Sequence, residues 1–168
     1  WQDFMFACAM YPSDSSFLHS VHHEAIDNVK RLRKHPSIVL WCGNNENAEG
    51  WQRWGWQDAF DDQQKQEIEQ GYKSIFNGIL PTIVKEYTSL PYWESSPKLG
   101  RGDPQHQFEG DAHYWGVWHD AEPFDVLEEK VPRFMSEFGF QSFPSLSTIA
   151  HFADSSQWHL DSEVMRSH

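Results

Sequence analysis

Two glutamates stand where a carboxylate pair could do chemistry. Glu46 follows the apolar run Ser37-Ile38-Val39-Leu40-Trp41-Cys42 after a Gly43-Asn44-Asn45 turn, and Glu137 follows Phe134-Met135-Ser136 just ahead of Phe138-Gly139. If both runs are strands of one parallel barrel, their C-terminal ends open onto the same face, where barrel enzymes gather reactive groups. Two carboxyl groups about 5–5.5 Å apart there are the machinery of retaining glycoside hydrolysis. One is protonated and donates to the leaving oxygen; the other is ionised and attacks the anomeric carbon. Mutual repulsion and partial burial supply that difference. A glutamate just past a strand can instead cap the next helix or pair with an arginine such as Arg133, and placement alone leaves that reading open.

The tryptophans weigh on the choice. Trp51, Trp54 and Trp56 lie in a polar stretch directly after Glu46, where core packing is a strained explanation. Sugar rings present C–H faces that stack on indole, while amides, imidazoles and carboxylates read the hydroxyls. Trp93, Trp115 and Trp118, near other strand ends, would extend the same wall. Other constellations are weaker. His19, His22 and His23 with Glu24 share a helical face but lack the H-E-x-x-H order of a zinc site, so a solvated face is the better reading. Gly100-Arg101-Gly102-Asp103 follows no strand and lacks the Lys-Ser/Thr of a phosphate loop, and no G-x-S-x-G elbow is present.

Apolar runs alternating with amphipathic segments must position these residues. Phe4 to Met10 predicts a strand buried on both faces, stopped at Tyr11-Pro12. Asp14, Ser15 and Ser16 offer N-caps for a helix through Lys34, with Phe17, Val21, Ile26, Val29 and Leu32 on its apolar face. Ser37–Cys42 predicts a second strand, 44–62 a loop, and Gln63–Glu86 a helix that Pro81 kinks or splits. Further strand-like runs begin near positions 91, 113 and 134, and Ser145 is placed to cap a last helix. Such alternation is the signature of a parallel α/β fold, doubly wound or barrel. At about 250 residues for eight units, five strands are what this length can hold.

Composition narrows the classes. With 13 basic against 25 acidic residues the net charge is −12, so neither nucleic acid nor an anionic membrane surface is the expected partner. The longest apolar run falls far short of the ~20 residues that span a bilayer. Aromatics at 15% argue against disorder. Cys8 and Cys42 both lie in strand-like apolar runs, where buried free thiols are expected. The chain opens in an apolar stretch without an initiator Met, which reads as an internal piece of a longer protein.

The strongest signal is a resemblance. Trp41-Cys42-Gly43-Asn44-Asn45-Glu46, together with Phe134-Met135-Ser136-Glu137-Phe138-Gly139-Phe140-Gln141-Ser142-Phe143-Pro144-Ser145, resembles the β-mannosidases of glycoside hydrolase family 2. The opening Trp1 to Pro12 and Gly110 to Trp118 are similar to the same group, so the likeness runs end to end. It implies a partial (β/α)8 TIM barrel, strands three to seven, with 1–168 one segment of a catalytic domain truncated at both ends. β-Sandwich domains would flank it in the parent chain. It also implies a retaining exo-β-mannosidase acting on terminal non-reducing β-D-mannose, with Glu46 as acid/base and Glu137 as nucleophile. Asn45 would meet the sugar's 2-hydroxyl, Trp54 would line the subsite beside Trp51, and Trp118 or His119 would supply a contact from strand six. No metal or organic cofactor is implied, and the isolated segment is expected to be inactive. The alternatives are a β-galactosidase, β-glucuronidase or exo-glucosaminidase of the same family, or a non-catalytic carbohydrate-binding module. Periplasmic, secreted and lysosomal settings are all compatible with the resemblance.

Overall fold

Five short strands, all in parallel pairs, carry the molecule. The computed structural model describes residues 1–168. Strands β1 (Gln2–Asp3), β2 (Trp41–Asn45) and β3 (Tyr92–Ser96) form one sheet in the order β1-β2-β3, and β4 (Ala112–Tyr114) pairs with β5 (Met135–Phe138) in a second. Trp41 and Asn45 of β2 stand opposite Tyr92 and Ser96 of β3, while His113 and Tyr114 stand opposite Glu137 and Phe138. The structure is the parallel α/β arrangement the sequence predicts, with its strands in two small sheets. Polar side chains tie the sheets together. Ser96 at the end of β3 donates to Asp111 just before β4, 2.6 Å, and Asp111 is fully buried.

Helix α1 (Ser15–Leu32) forms where the apolar period predicts it. Asp14 accepts from the backbone N–H groups of Ser16 and Phe17, and Lys30 and Arg31 occupy the last turn. That cap satisfies donors the first turn leaves open, and the cations suit the helix's negative end. The next long helix is in three parts: α3 (Asp62–Tyr72), a π-helical stretch (Lys73–Ile79) and α4 (Leu80–Tyr87). Asp61 and Gln64 close a capping box at its start. Pro81 cannot donate to the carbonyl four residues back, and the widened turns before it accommodate its ring. Val29, Trp41, Phe76, Leu80, Ile83 and Val84 are the centre of the core, which is where β2 meets α1 and α4.

Several elements differ from their sequence reading. Phe4–Met10 is not a continuous buried strand. The N–H of Phe6 turns back onto the carbonyl of Phe4, Cys8 lies at φ 44°, and only Ala7 bridges to Asn45. Met5 is consequently 83% exposed and Cys8 is exposed too, while Cys42 is buried as expected. The second strand begins at Trp41, since 35–38 is taken up by turns closed by Leu32 and His35. The predicted loop 44–62 holds α2 (Asn47–Arg53) and a 3-10 turn (Trp56–Ala59). The run from His113 bends after Tyr114 into a helical turn, α5 (Gly116–His119), and α6 (Val126–Glu129) follows. No helix joins β3 to β4; residues 97–111 make a succession of turns instead.

The chain forms two compact units, Trp1–Phe138 and Gly139–His168. In the second, Ser145 caps α7 (Leu146–Phe152) as predicted, Ile149 is buried, and Trp158 donates its indole N–H to Ala153 O, 3.0 Å. The short helix α8 (Glu163–Ser167) is capped by Ser162. No helix is long and apolar enough to cross a membrane.

Candidate active site

Strand β2 delivers Glu46 through a turn clamped from below. Asn44 is fully buried; its side-chain N–H donates to Glu94 O, 2.8 Å, and its Oδ1 accepts from Ser95 Oγ, 2.7 Å, and from Asn47 N, 3.1 Å. Gly43 has no room for a side chain, because a Cβ there would run into the Tyr92 hydroxyl and Glu94 O. With the strand held, the N–H of Glu46 donates to Ser96 O, 2.7 Å, and its backbone turns into the left-handed region at φ 60°, ψ 8°. That turn starts α2 and directs the carboxylate away from the core.

Glu137 arrives from β5, and the two carboxylates meet at one imidazole. His113, buried on β4, places Nδ1 2.8 Å from Glu46 Oε1 and 3.3 Å from Glu137 Oε2. One donor atom from each of the three residues lies within 4.8 Å of the others. Glu137 Oε2 also accepts the indole N–H of Trp115, 3.2 Å. Glu46 Oε2 faces Cys8 Sγ at 3.5 Å. Partial loss of solvent around that sulfur, and then the Glu46 charge, push the Cys8 thiol above its ordinary range.

These groups open onto a cavity of about 570 Å³, within the size range of small-molecule sites. Trp54, Trp115, Trp118 and His119 form aromatic wall around it, with Glu49 and Arg101 at its edge. Trp118 stacks on His119 at 5.0 Å and meets Trp115 edge-on at 5.7 Å. Trp54 and Trp118 are 46% and 41% exposed, so their faces are available to a ligand. Of the residues singled out in the sequence, Glu46, Glu137, Trp54, Trp118 and His119 therefore gather at one pocket. Asn45 is not among the residues that line it; its side-chain amide donates to Cys8 Sγ at 3.8 Å. Trp51 does not join them. Because 47–53 is a helix and not a loop, Trp51 faces α3, donates to Glu69 Oε1 at 3.3 Å and lines a separate cavity of about 460 Å³. The α1 histidines meet one another edge-on, His19 with His23 at 4.3 Å and His22 with His23 at 5.6 Å.

His113 is the residue that sequence reasoning passed over. It opens a strand-like run, but its partners come from three separate strands, and nothing local marks a histidine so placed.

No family model matches the chain. Among curated proteins it is 38% identical to Beta-mannosidase B of Aspergillus clavatus over 162 residues, 92% of this chain and 19% of that protein. It is 40% identical to Beta-mannosidase B of Thermothelomyces thermophilus over 158 residues, 89% of this chain and 18% of that protein. The crystal structure of Beta-D-Mannosidase from Dictyoglomus thermophilum superposes with a TM-score of 0.81 at 42% identity, covering all of this chain and 20% of that one. The chain thus spans about a fifth of the length of the relatives it matches, and along nearly all of its own length it is a homologue of the β-mannosidases.

Proposed function

We propose that the full-length protein is a retaining exo-β-mannosidase of glycoside hydrolase family 2. In this reading the chain supplies strands three to seven of a catalytic (β/α)8 barrel that β-sandwich domains flank. The observation that carries it is the meeting of Glu46 and Glu137 at one pocket, with oxygens within 4.8 Å of each other through the His113 cluster. That separation suits a nucleophile and acid/base pair; an inverting pair stands about 6.5–9.5 Å apart to admit a water. The homology to β-mannosidases supports the choice of sugar.

Glu137 attacks the anomeric carbon of a terminal non-reducing β-D-mannosyl unit while Glu46 gives its proton to the aglycone oxygen. The glycosidic C–O bond breaks as the ester to Glu137 forms. A water that Glu46 deprotonates then displaces Glu137, and mannose leaves with its configuration retained. Trp115 holds the nucleophile by its indole N–H. Trp54 and Trp118 present faces for the sugar's C–H surfaces. Asn45 takes the 2-hydroxyl, whose axial position in mannose makes that contact the one that separates epimers. These steps use no metal or organic cofactor.

The test is a panel of four aryl β-glycosides, mannoside, galactoside, glucuronide and glucosaminide, offered to the full-length protein and its Glu137→Ala variant. The mannoside should be turned over preferentially, and the variant should lose that turnover. Preference for another sugar would move the protein to a different branch of the family. Undiminished hydrolysis by Glu137→Ala would remove Glu137 from the nucleophile's role, and sugar binding with no turnover at all would leave a carbohydrate-binding module.

A further inference from the structure

Hydrogen-bond accounting around His113 leaves one proton shared among three groups. Asp111 is fully buried and accepts three bonds: from Ser96 Oγ, 2.6 Å, from Ser136 Oγ, 2.6 Å, and from the N–H of Lys98, 2.8 Å. As a carboxylate it has no proton to return. The single hydroxyl proton of Ser96 is therefore committed to Asp111. Toward His113 Nε2, 2.8 Å away, the Ser96 oxygen can only accept. With Asp111 as the acceptor of that proton, Nε2 carries the hydrogen of its contact with Ser96 and only Nδ1 is variable. Nδ1 faces Glu46 Oε1 at 2.8 Å and Glu137 Oε2 at 3.3 Å. A contact of 2.8 Å between an imidazole nitrogen and a carboxyl oxygen needs a proton in between. That proton sits either on Nδ1, giving an imidazolium between two carboxylates, or on Glu46, giving a neutral ring that accepts from the acid.

We propose that His113 is a positioning residue that keeps the acid's proton at Glu46, its ring locked with Nδ1 toward the two carboxylates by the buried Asp111–Ser96 pair. This deepens the mannosidase reading and rests on Glu46 being the acid/base. The proton moves along one hydrogen bond, from Nδ1 to Glu46 Oε1, and leaves on the aglycone oxygen as the glycosidic bond breaks. The ring is then neutral and Glu46 is an ionised base, ready to take a proton from water. With Nε2–H fixed, a neutral ring presents a lone pair to Glu46 and stabilises its protonated form; a freely chosen tautomer could donate from Nδ1 and stabilise the ionised form instead. The charged groups facing the ring are Glu46 from the end of β2, Glu137 from β5 and Asp111 before β4. Farther out, Arg101 is paired to Asp120 at 2.5 Å and Glu49 to Arg53 at 2.6 Å. His119 lines the same cavity, and Cys8 stays a thiol against Glu46.

Two variants separate the ring nitrogens. His113→Asn keeps a nitrogen near the Nδ1 position, and His113→Gln keeps one near Nε2 to hold Ser96; neither side chain titrates. In the full-length protein, both should move the alkaline limb of the kcat/KM profile to lower pH by about one unit or more, since Glu46 must then hold its proton unaided. A leaving-group comparison reads the same step. For an alkyl β-mannoside, which needs protonation to leave, kcat/KM should fall about 100-fold, the lower range for loss of general acid assistance. For 2,4-dinitrophenyl β-mannoside, which leaves unassisted, the fall should be under about threefold. Equal losses for both substrates, with an unmoved pH profile, would overturn the proposal and leave His113 a packing residue. If the wild-type protein hydrolyses no β-mannoside, the underlying reading has failed instead. Should one variant not fold, the other gives the same two readouts.

Discussion

At the scale of single residues, Glu46 occupies a position the chain does not favour. A side chain in the left-handed region costs roughly 1–2 kcal/mol, and the Ser96 carbonyl, the Asn44 clamp and His113 hold it there. Glu46 and Glu137 were legible because a strand end followed by an acid is a local pattern. His113 was not, because its meaning lies in Ser96, Asp111 and the two glutamates, which come together only on folding. The cysteines show the same limit. Both sit in apolar runs, yet Cys8 is exposed beside the pocket while Cys42 is buried, and burial pushes the Cys42 thiol far up. Maleimide labelling of the native protein, followed by peptide mapping, should modify Cys8 and leave Cys42 untouched until denaturant is added. Because the Cys8 thiol is also raised, its thiolate forms only above the ordinary ~8.5, so its labelling rate should keep rising past that pH. Equal labelling of both cysteines under native conditions would contradict the packing around β2.

At the scale of elements, helices are more legible in the sequence than strands. The apolar period and the caps of α1 and α7 are local, so Asp14 and Ser145 mark their starts in the sequence itself. Strand limits depend on which neighbour supplies hydrogen bonds. The pairing of Trp41–Asn45 with Tyr92–Ser96 moved β2 past the apolar run that announced it. Pro81 signals a disturbance in the long helix, but not that it takes the form of π-helical turns from Lys73 to Ile79, whose Ile75 and Phe76 pack into a core assembled from distant segments. Leu80 sits at the junction of those turns with α4 and is completely buried. Leu80→Ala should cost about 2–5 kcal/mol, read as lowered hydrogen-exchange protection in α1 and α4. A loss under about 1 kcal/mol would mean that this seam is not close-packed.

At the scale of the molecule, the α/β class and the all-parallel strand order followed from alternation, while the division into two units did not. The missing helix between β3 and β4 has a physical counterpart: the Asp111 network does the joining there, with hydrogen bonds from Ser96, Lys98 and Ser136 to a buried carboxyl in place of an apolar crossover. The same network orders the imidazole at the pocket, so one polar cluster serves both fold and site. The central claim, that Glu46 and Glu137 work as acid/base and nucleophile across one pocket, is tested most directly by azide rescue in the full-length protein. With an activated aryl β-mannoside, Glu137→Ala plus azide should give the α-mannosyl azide, and Glu46→Ala plus azide should give the β-anomer, as read by proton NMR. The same anomer from both variants, or no rescue in either, would contradict the assignment.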